Sequence, residues 1–480
     1  MTGVVTHTPV TPFSSPTNRP RCRLRKRRSE RTGMMATKHQ EPGALEPVRG
    51  GERVVALDAL RGLAIVGILL VNIQFFAGPE PYLQIAGEEV RQGADRIAYA
   101  LTAVLVQGKF IGMFAFLFGL GIAIQVARAE RRGHSSTLTP FSSADSVADW
   151  SVRKRGSQML VRRLAVLAVF GALHAVLIWS GDVLFSYALL GFVLLLFRER
   201  TVRTLLVWAV ALIGIPALLI LFAAGLTALA GLAPGGQEAL AESRAPVLDS
   251  GRALADATQQ AYGAGGYRDM VGARLQELTF TYASFPLNGA WILGMMLLGM
   301  ATGRAGIAGD LAGHAGTVRR VTLLGMLVGL PLNVALAAAL LTDPAGLTPA
   351  GLAGQALLFA APPILTLGYL GAGAQVFARA ARASLTRRLA AVGRMALTNY
   401  LLQSVIATGV FYGLRLYGRT SLVAALGLCL AIAALHLLWS PLWLSRFQYG
   451  PMEWLWRRLT YDRLPGTLAG TGATAGGTRA

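Results

Sequence analysis

Apolar residues fall in runs of about 18–25 along most of the chain, separated by short polar or basic stretches; each run, as a helix, is long enough to cross a hydrocarbon core of roughly 30 Å. The pattern predicts ten spans, at 55–76, 104–126, 162–180, 182–198, 204–232, 284–305, 318–341, 350–378, 394–414 and 421–444. The fourth is the shortest, and its existence rests on the break at Ser180-Gly181. Residues 90–103 are expected to form an interfacial helix leading into the second span. The expected fold is therefore all-α, a polytopic membrane helix bundle of about ten transmembrane helices.

Outside the runs the chain changes character. Residues 1–53 are Pro/Ser/Thr-rich and then strongly basic, with too little apolar surface to offset ordering entropy, so they are expected to be a disordered basic tail. No short apolar segment follows those charges before residue 55, so the first long run reads as a membrane span and not as a signal peptide. Residues 54–462 form one transmembrane domain. Its one long loop on the outer side, 233–283, has room for structure; Tyr262, Tyr267, Met270, Arg274 and Leu278 suggest short amphipathic helices lying on the membrane surface. Residues 463–480 turn to Gly, Thr and Ala and are expected to be a second disordered tail.

Composition agrees with a membrane solvent. Of 480 residues, 14% are charged and 54% hydrophobic. Two cysteines, Cys22 and Cys429, exclude a disulfide framework and a cysteine-only zinc site. The net charge of +21 would suggest nucleic acid in a soluble protein. Here position decides: with both termini cytoplasmic, inner segments carry 35 Lys/Arg and outer segments 9, with Arg61 inside a span. The expected partner is a lipid bilayer, with no nucleic acid.

Polar residues kept inside an apolar helix are the main functional signal, since a central charge costs about 2.5–3.5 kcal/mol on insertion scales. Asp58 and Arg61 open the first span three residues apart and can pair; they fix helix depth, or Arg61 meets an anionic substrate at the cytoplasmic mouth. Asn72 lies three turns further along the same face, about 16 Å outward. His174 is followed, after one tight turn, by Asp182; a carboxylate beside an imidazole holds its tautomer and raises its basicity, as a general base requires. The plainer alternative is a packing histidine, with Asp182 capping the next span. Asn399 and Gln403 share a face and either bond neighbouring helices or line a polar cavity. The exit segment from Arg446 to Arg458 reads as an interfacial anchor, with Pro451-Met452-Glu453 starting a short helix.

Gly299/Gly303 and Gly325/Gly329 are pairs that permit close helix approach in lipid. Pro362-Pro363 should kink or open its span. No P-loop, metal-ligand spacing, G-x-S-x-G elbow, voltage-sensor helix or potassium-channel filter is present.

The stretch from Gly393-Arg394-Met395 through Thr398-Asn399-Tyr400 and Gln403-Ser404, then Arg446-Phe447, Gly450-Pro451-Met452-Glu453-Trp454-Leu455-Trp456-Arg457, resembles the YeiB-like bacterial membrane family, defined by a C-terminal domain of unknown function, number 418. Leu57-Asp58, Leu60-Arg61-Gly62, Gly67, Asn72, Phe114, Leu117-Phe118-Gly119, Gly121, Leu173-His174 and Trp179-Ser180-Gly181-Asp182 resemble it too. The resemblance covers roughly 53–462, its C-terminal motif about 290–462. The family is distantly similar to the transmembrane acyltransferase superfamily, which includes acyltransferase-3 and heparan glucosaminide acetyltransferase-like proteins. One departure is clear: acyltransferase-3 proteins put a histidine where Asn72 stands. The resemblance implies a bacterial cytoplasmic membrane and an acyl-CoA donor used as substrate, with nothing bound permanently.

On that reading acyl-CoA meets Arg61 and the Arg-rich inner loops, and Asp58 and Arg274 join the substrate-binding residues. His174 deprotonates the acceptor, an envelope glycan, a lipid or a small exported molecule, while Asp182 orients it and Asn72 or Asn399 stabilises the oxyanion. The competing expectation is transport, in which Arg61, His174, Asp182, Asn399 and Gln403 line a path and Pro362-Pro363 form a broken helix at mid-membrane. Topology is directly testable. Reporter fusions at Arg153 and Arg387 should read cytoplasmic and one near Ala255 external; a cytoplasmic signal at Ala255 would overturn the charge-based orientation.

Overall fold

The computed structural model describes residues 55–134 and 143–461; the segments expected to be disordered tails lie outside the described residues. Among those described there are sixteen α-helices and no strand. The first stretch gives α1 (Val55–Ala77), α2 (Glu80–Ile85), α3 (Gly93–Leu105) and α4 (Lys109–His134). Then come α5 (Ser143–Leu177), α6 (Leu184–Leu195), α7 (Val202–Ala230), α8 (Gly236–Gly263) and α9 (Tyr267–Ala283). The second half holds α10 (Phe285–Arg304), α11 (Ala315–Thr342), α12 (Pro349–Arg379), α13 (Ser384–Arg394), α14 (Ala396–Thr408), α15 (Leu422–Arg446) and α16 (Pro451–Thr460). A π-turn, Gly409–Gly413, extends α14.

This is an all-α polytopic membrane helix bundle. Eight stretches among the described residues are long and apolar enough to cross a bilayer, and the α3–α4 pair counts as one of them. The other two expected spans are shorter. α6 has 12 residues, a rise of about 18 Å, so its flanks must complete any crossing. α14 has 13, prolonged by the π-turn. We call the end where α1 begins the near face and the end where it finishes the far face.

Tight helix approach holds the bundle together. A Cβ on Gly119 would sit 1.9 Å from the Met296 carbonyl, and one on Gly299 1.8 Å from that of Phe116, so α4 and α10 meet backbone to backbone. Gly62 and Gly393 do the same for α1 and α13: their Cβ atoms would lie 2.1 Å from Leu389 O and 1.9 Å from Asp58 O. In lipid, where apolar contact with tails gives helices no reason to associate, such approach supplies the van der Waals gain.

Two expectations change. Residues 233–283 form longer helices than the short ones expected. They form α8, of 28 residues, and α9, of 17. α8 runs against α2, and α9 buries Ala273, Arg274 and Glu277. Arg274 and Glu277 turn inward because carbonyl and hydroxyl partners wait there. Pro362-Pro363 does not break its helix, since α12 runs through both. Asn333 Nδ2 donates to Ala361 O at 3.0 Å and Thr366 Oγ1 to Pro362 O at 2.8 Å, so side chains occupy carbonyls beside the prolines. The break falls instead between α3 and α4, at Gly108 with φ +77°, where a Cβ would meet the Pro362 ring at 2.9 Å.

Replacing Gly393 with Val should collide with the α1 backbone and lower both folded yield and melting temperature. Gly214→Ala, with nothing within 4 Å of the added Cβ, should be neutral. Equal melting temperatures for the two detergent-solubilised variants would contradict the close approach of α1 and α13.

Candidate functional site

α5 ends at Leu177, and the chain reverses through Ser180-Gly181 to start α6. Gly171, one turn before His174, makes room for this return, since a Cβ there would stand 2.2 Å from Phe185 N. The reversal brings Asp182 back onto His174. Nδ1 and Asp182 Oδ1 are 2.9 Å apart, with side chains 1% and 0% exposed. Asp182 Oδ2 accepts from Phe185 N at 2.7 Å, stapling the first turn of α6. The carboxylate therefore caps a helix and orients an imidazole together. The alternatives left open by the sequence are not exclusive.

Tyr400 completes the arrangement from α14. Its hydroxyl accepts from Val183 N at 3.2 Å and stands 3.5 Å from Asp182 Oδ1, and its ring lies 5.3 Å from the imidazole. With Nδ1–H directed at the carboxylate, Nε2 is the basic nitrogen. It is buried and has no partner. His436, equally buried in α15, also has a free Nε2, but among the described residues it makes no ion pair with a carboxylate.

The other expected site residues divide sharply. Asn399 is spent on packing: Nδ2 donates to Val392 O and to Ser440 Oγ, at 3.1 and 3.0 Å, and Oδ1 accepts from Trp439 Nε1 at 3.2 Å. Gln403, one turn beyond Tyr400, is 1% exposed and its Oε1 has no partner. Asn72 is half-buried on the α1 face that carries Ile65, Leu69 and Phe76. Ile65 packs in one cluster with Leu167 and Tyr400, and Phe76 stacks on Trp179 at 4.1 Å, so that face looks toward α5 and α14.

Arg274 is not a surface residue. It is 2% exposed, and Nη1 donates to Leu177 O at 2.8 Å, placing a cation on the carboxyl end of α5. One turn later Glu277, which the sequence reading passed over, accepts three hydroxyl donors: Tyr82 at 2.5 Å, and Ser180 and Tyr262 both at 2.6 Å. Burial, and then the charge of Glu277, push the Tyr82 and Tyr262 phenols up, so both remain donors. Ser180 sits in the turn that delivers Asp182, so this network braces the site from the far face.

Two further residues were missed. Lys109, which charge counting grouped with the outer segments, is fully buried at the α3–α4 break; Nζ donates to Ala103 O at 2.6 Å. A lysine in the middle of a continuous apolar stretch was the available signal. Tyr400 stood inside a quoted motif, but nothing local distinguished it from its neighbours.

At the near face Arg61 Nη1 pairs with Asp58 Oδ1 at 2.9 Å, and the pair is only partly exposed. Other arginines gather beside it. Arg163, within electrostatic reach of Arg61 and Arg457, bonds Gln125 Oε1 at 3.0 Å and lies 4.1 Å over the Trp456 ring. Arg457 lies 4.5 Å over Tyr449 and keeps Nη1 unpaired. Glu453 is committed elsewhere, accepting from Leu397 N, Thr398 N and Thr398 Oγ1, and so joins α16 to the start of α14.

The fold and site define a multi-pass helical membrane protein with a buried His–Asp pair where α5 turns back into α6. Residues 302–463 match the family described as "Protein of unknown function (DUF418)". Uncharacterized protein YxaH of Bacillus subtilis (strain 168) is 33% identical over 446 residues, spanning 87% of this chain and 96% of that relative. Uncharacterized protein YeiB of Escherichia coli (strain K12) is 31% identical over 418 residues, 85% of this chain and 96% of the relative. The chain belongs to this YeiB-like DUF418 family. No solved structure matches it.

The Glu277 network gives a stability prediction. Glu277→Ala leaves three buried hydroxyls without their acceptor, a loss of about 1–3 kcal/mol or more. It should lower the melting temperature clearly, whereas Glu277→Gln, which keeps an acceptor oxygen, should lower it less. An unchanged melting curve for Glu277→Ala would show that the network does not brace the turn.

Proposed function

We propose that this chain is a membrane acyltransferase that carries an acyl group from a near-face acyl-CoA to an acceptor reached from the far face. The carrying observation is the buried His174–Asp182 pair, with Nε2 left without a partner and Nδ1 fixed by the carboxylate. His174 Nε2 takes the proton of an acceptor hydroxyl or amine. The freed oxygen or nitrogen attacks the thioester carbonyl, the C–S bond breaks, and the CoA thiolate leaves and is protonated. Asp182 stabilises the imidazolium formed, and Tyr400 fixes the position of the carboxylate.

Asn72 is the better oxyanion donor, because the amide of Asn399 is already engaged on both sides. The near-face arginines, Arg61 with Arg163 and Arg457, supply positive charge for the phosphates of the donor. The orientation that fits has the near face cytoplasmic, in the plasma membrane of a bacterium, which makes the acceptor a cell-envelope glycan, a lipid or an exported small molecule.

Transport draws on a different observation, the helix break at Gly108 with Lys109 buried beside it. That reading requires uptake into sealed vesicles without any acyl donor.

Acyl transfer predicts separable defects. His174→Ala should abolish turnover with acyl-CoA binding nearly unchanged, since a base acts in the transition state. Arg61→Ala should weaken donor binding by about 1.5–3 kcal/mol. Comparing acylated envelope glycans and lipids by mass spectrometry, with and without the gene, supplies the assay. Full activity in a well-folded His174→Gln protein would remove the base and the acyltransferase reading with it.

A further inference from the structure

The far end of α1 carries a cavity that acyl transfer does not use. It has a volume of about 260 Å³ and lies between α1, the 80–95 connection and the start of α15, with Gln74, Glu80, Arg91, Asp95, Arg419 and Ser421 on its walls. That is slightly below the range of pockets that enclose drug-sized molecules, about 300–1,000 Å³. A space of that size suits one small polar molecule.

Arg91 anchors the cavity. It is 7% exposed, its Nη2 donates to Gln74 Oε1 at 3.1 Å, and its guanidinium lies 4.5 Å over the Tyr99 ring. Its Nη1 is buried and has no partner in the protein. A desolvated guanidinium N–H without an acceptor is destabilising, so the site is built for an anionic group. Arg419 adds a second cation to the walls, and Glu80 and Asp95 supply the opposite sign. Asp95, also on the wall, uses Oδ1 to accept from Val423 N at 3.0 Å and so caps α15. Burial pushes the Glu80 carboxyl up, a cost that a ligand cation would relieve.

We propose that this cavity binds a small zwitterion, with its anionic end on Arg91 Nη1 and its ammonium between Glu80 and Asp95. Charges of both signs held at fixed places select a molecule that carries both, and reject one that carries either alone. The site stands whether or not His174 is a base, because no atom is shared between the two.

Calorimetry on the full chain in lipid nanodiscs tests this with glycine, L-alanine, L-serine and phosphoethanolamine as probes, and with acetate and methylamine as the single-charge controls. At least one zwitterion should bind saturably, about tenfold or more tighter than either control. The amino acids against phosphoethanolamine decide whether the anionic end is a carboxylate or a phosphate. Arg91→Gln should weaken that binding about tenfold or more. Glu80→Gln, on the short α2, should weaken it too, and supplies the comparison if Arg91→Gln does not fold. No saturable binding of any of the four zwitterions, controls that bind as tightly, or binding that survives either substitution would each overturn the proposal.

Discussion

The Asp182 carboxylate is the contact on which the rest of the site depends. One oxygen faces His174 Nδ1, the other accepts the backbone of Phe185, and the Tyr400 hydroxyl stands beside the first. Three helices, α5, α6 and α14, are thereby referred to one charged group. A carboxylate this deep is tolerable only because donors surround it; without them, desolvation would be prohibitive. The same donors fix its position closely. The local reason for the fold and the local reason for a basic imidazole nitrogen are therefore one interaction.

This explains why residue type alone separated function from packing poorly. Asn399 and His174 look equally functional as polar residues within apolar runs. The structure separates them by what each side chain has left over. Asn399 has its amide nitrogen and its oxygen engaged, and it ties α13, α14 and α15 together. His174 keeps one nitrogen free, and so does the guanidinium of Arg91. Since buried polar atoms are nearly always paired, an unpaired one beside a group that orients it carries more information than a polar residue as such.

What the sequence reveals follows the same physics. The spans were legible because lipid demands long apolar helices with every backbone group paired internally. His174 and Asp182 were legible because one short turn joins them. Glu277 was not: its partners Tyr82 and Ser180 are 195 and 97 residues away, and only the folded far face brings them together. The α3–α4 division was legible as an interfacial helix over 90–103 ahead of the second span, but its exact place at Gly108 was not. Its apolar pattern runs on from Gly93 to Arg128, and Gly108 reads as ordinary until its positive φ and its contact with the Pro362 ring are seen. α8 reads as loop because its face toward α2 is lined by small residues such as Gly251, whose Cβ would come 2.7 Å from Ala86 N.

α1 joins these parts. Its first turns pair Asp58 with Arg61 beside the near-face arginines, its middle turns carry Asn72 toward α5 and α14, and its last turns give Gln74 to the Arg91 cavity and Phe76 to Trp179. A helix docked backbone to backbone on α13 through Gly62 and Gly393 cannot slide or rotate without collision. The distance between near-face charge and far-face polar sites is then set by helix rise, at about 1.5 Å per residue, and not by the compliance of loops. Chemistry that must join two sides of a membrane needs such a fixed span, because a donor group and an acceptor group arriving from opposite faces react only when both reach the same nitrogen at bonding distance.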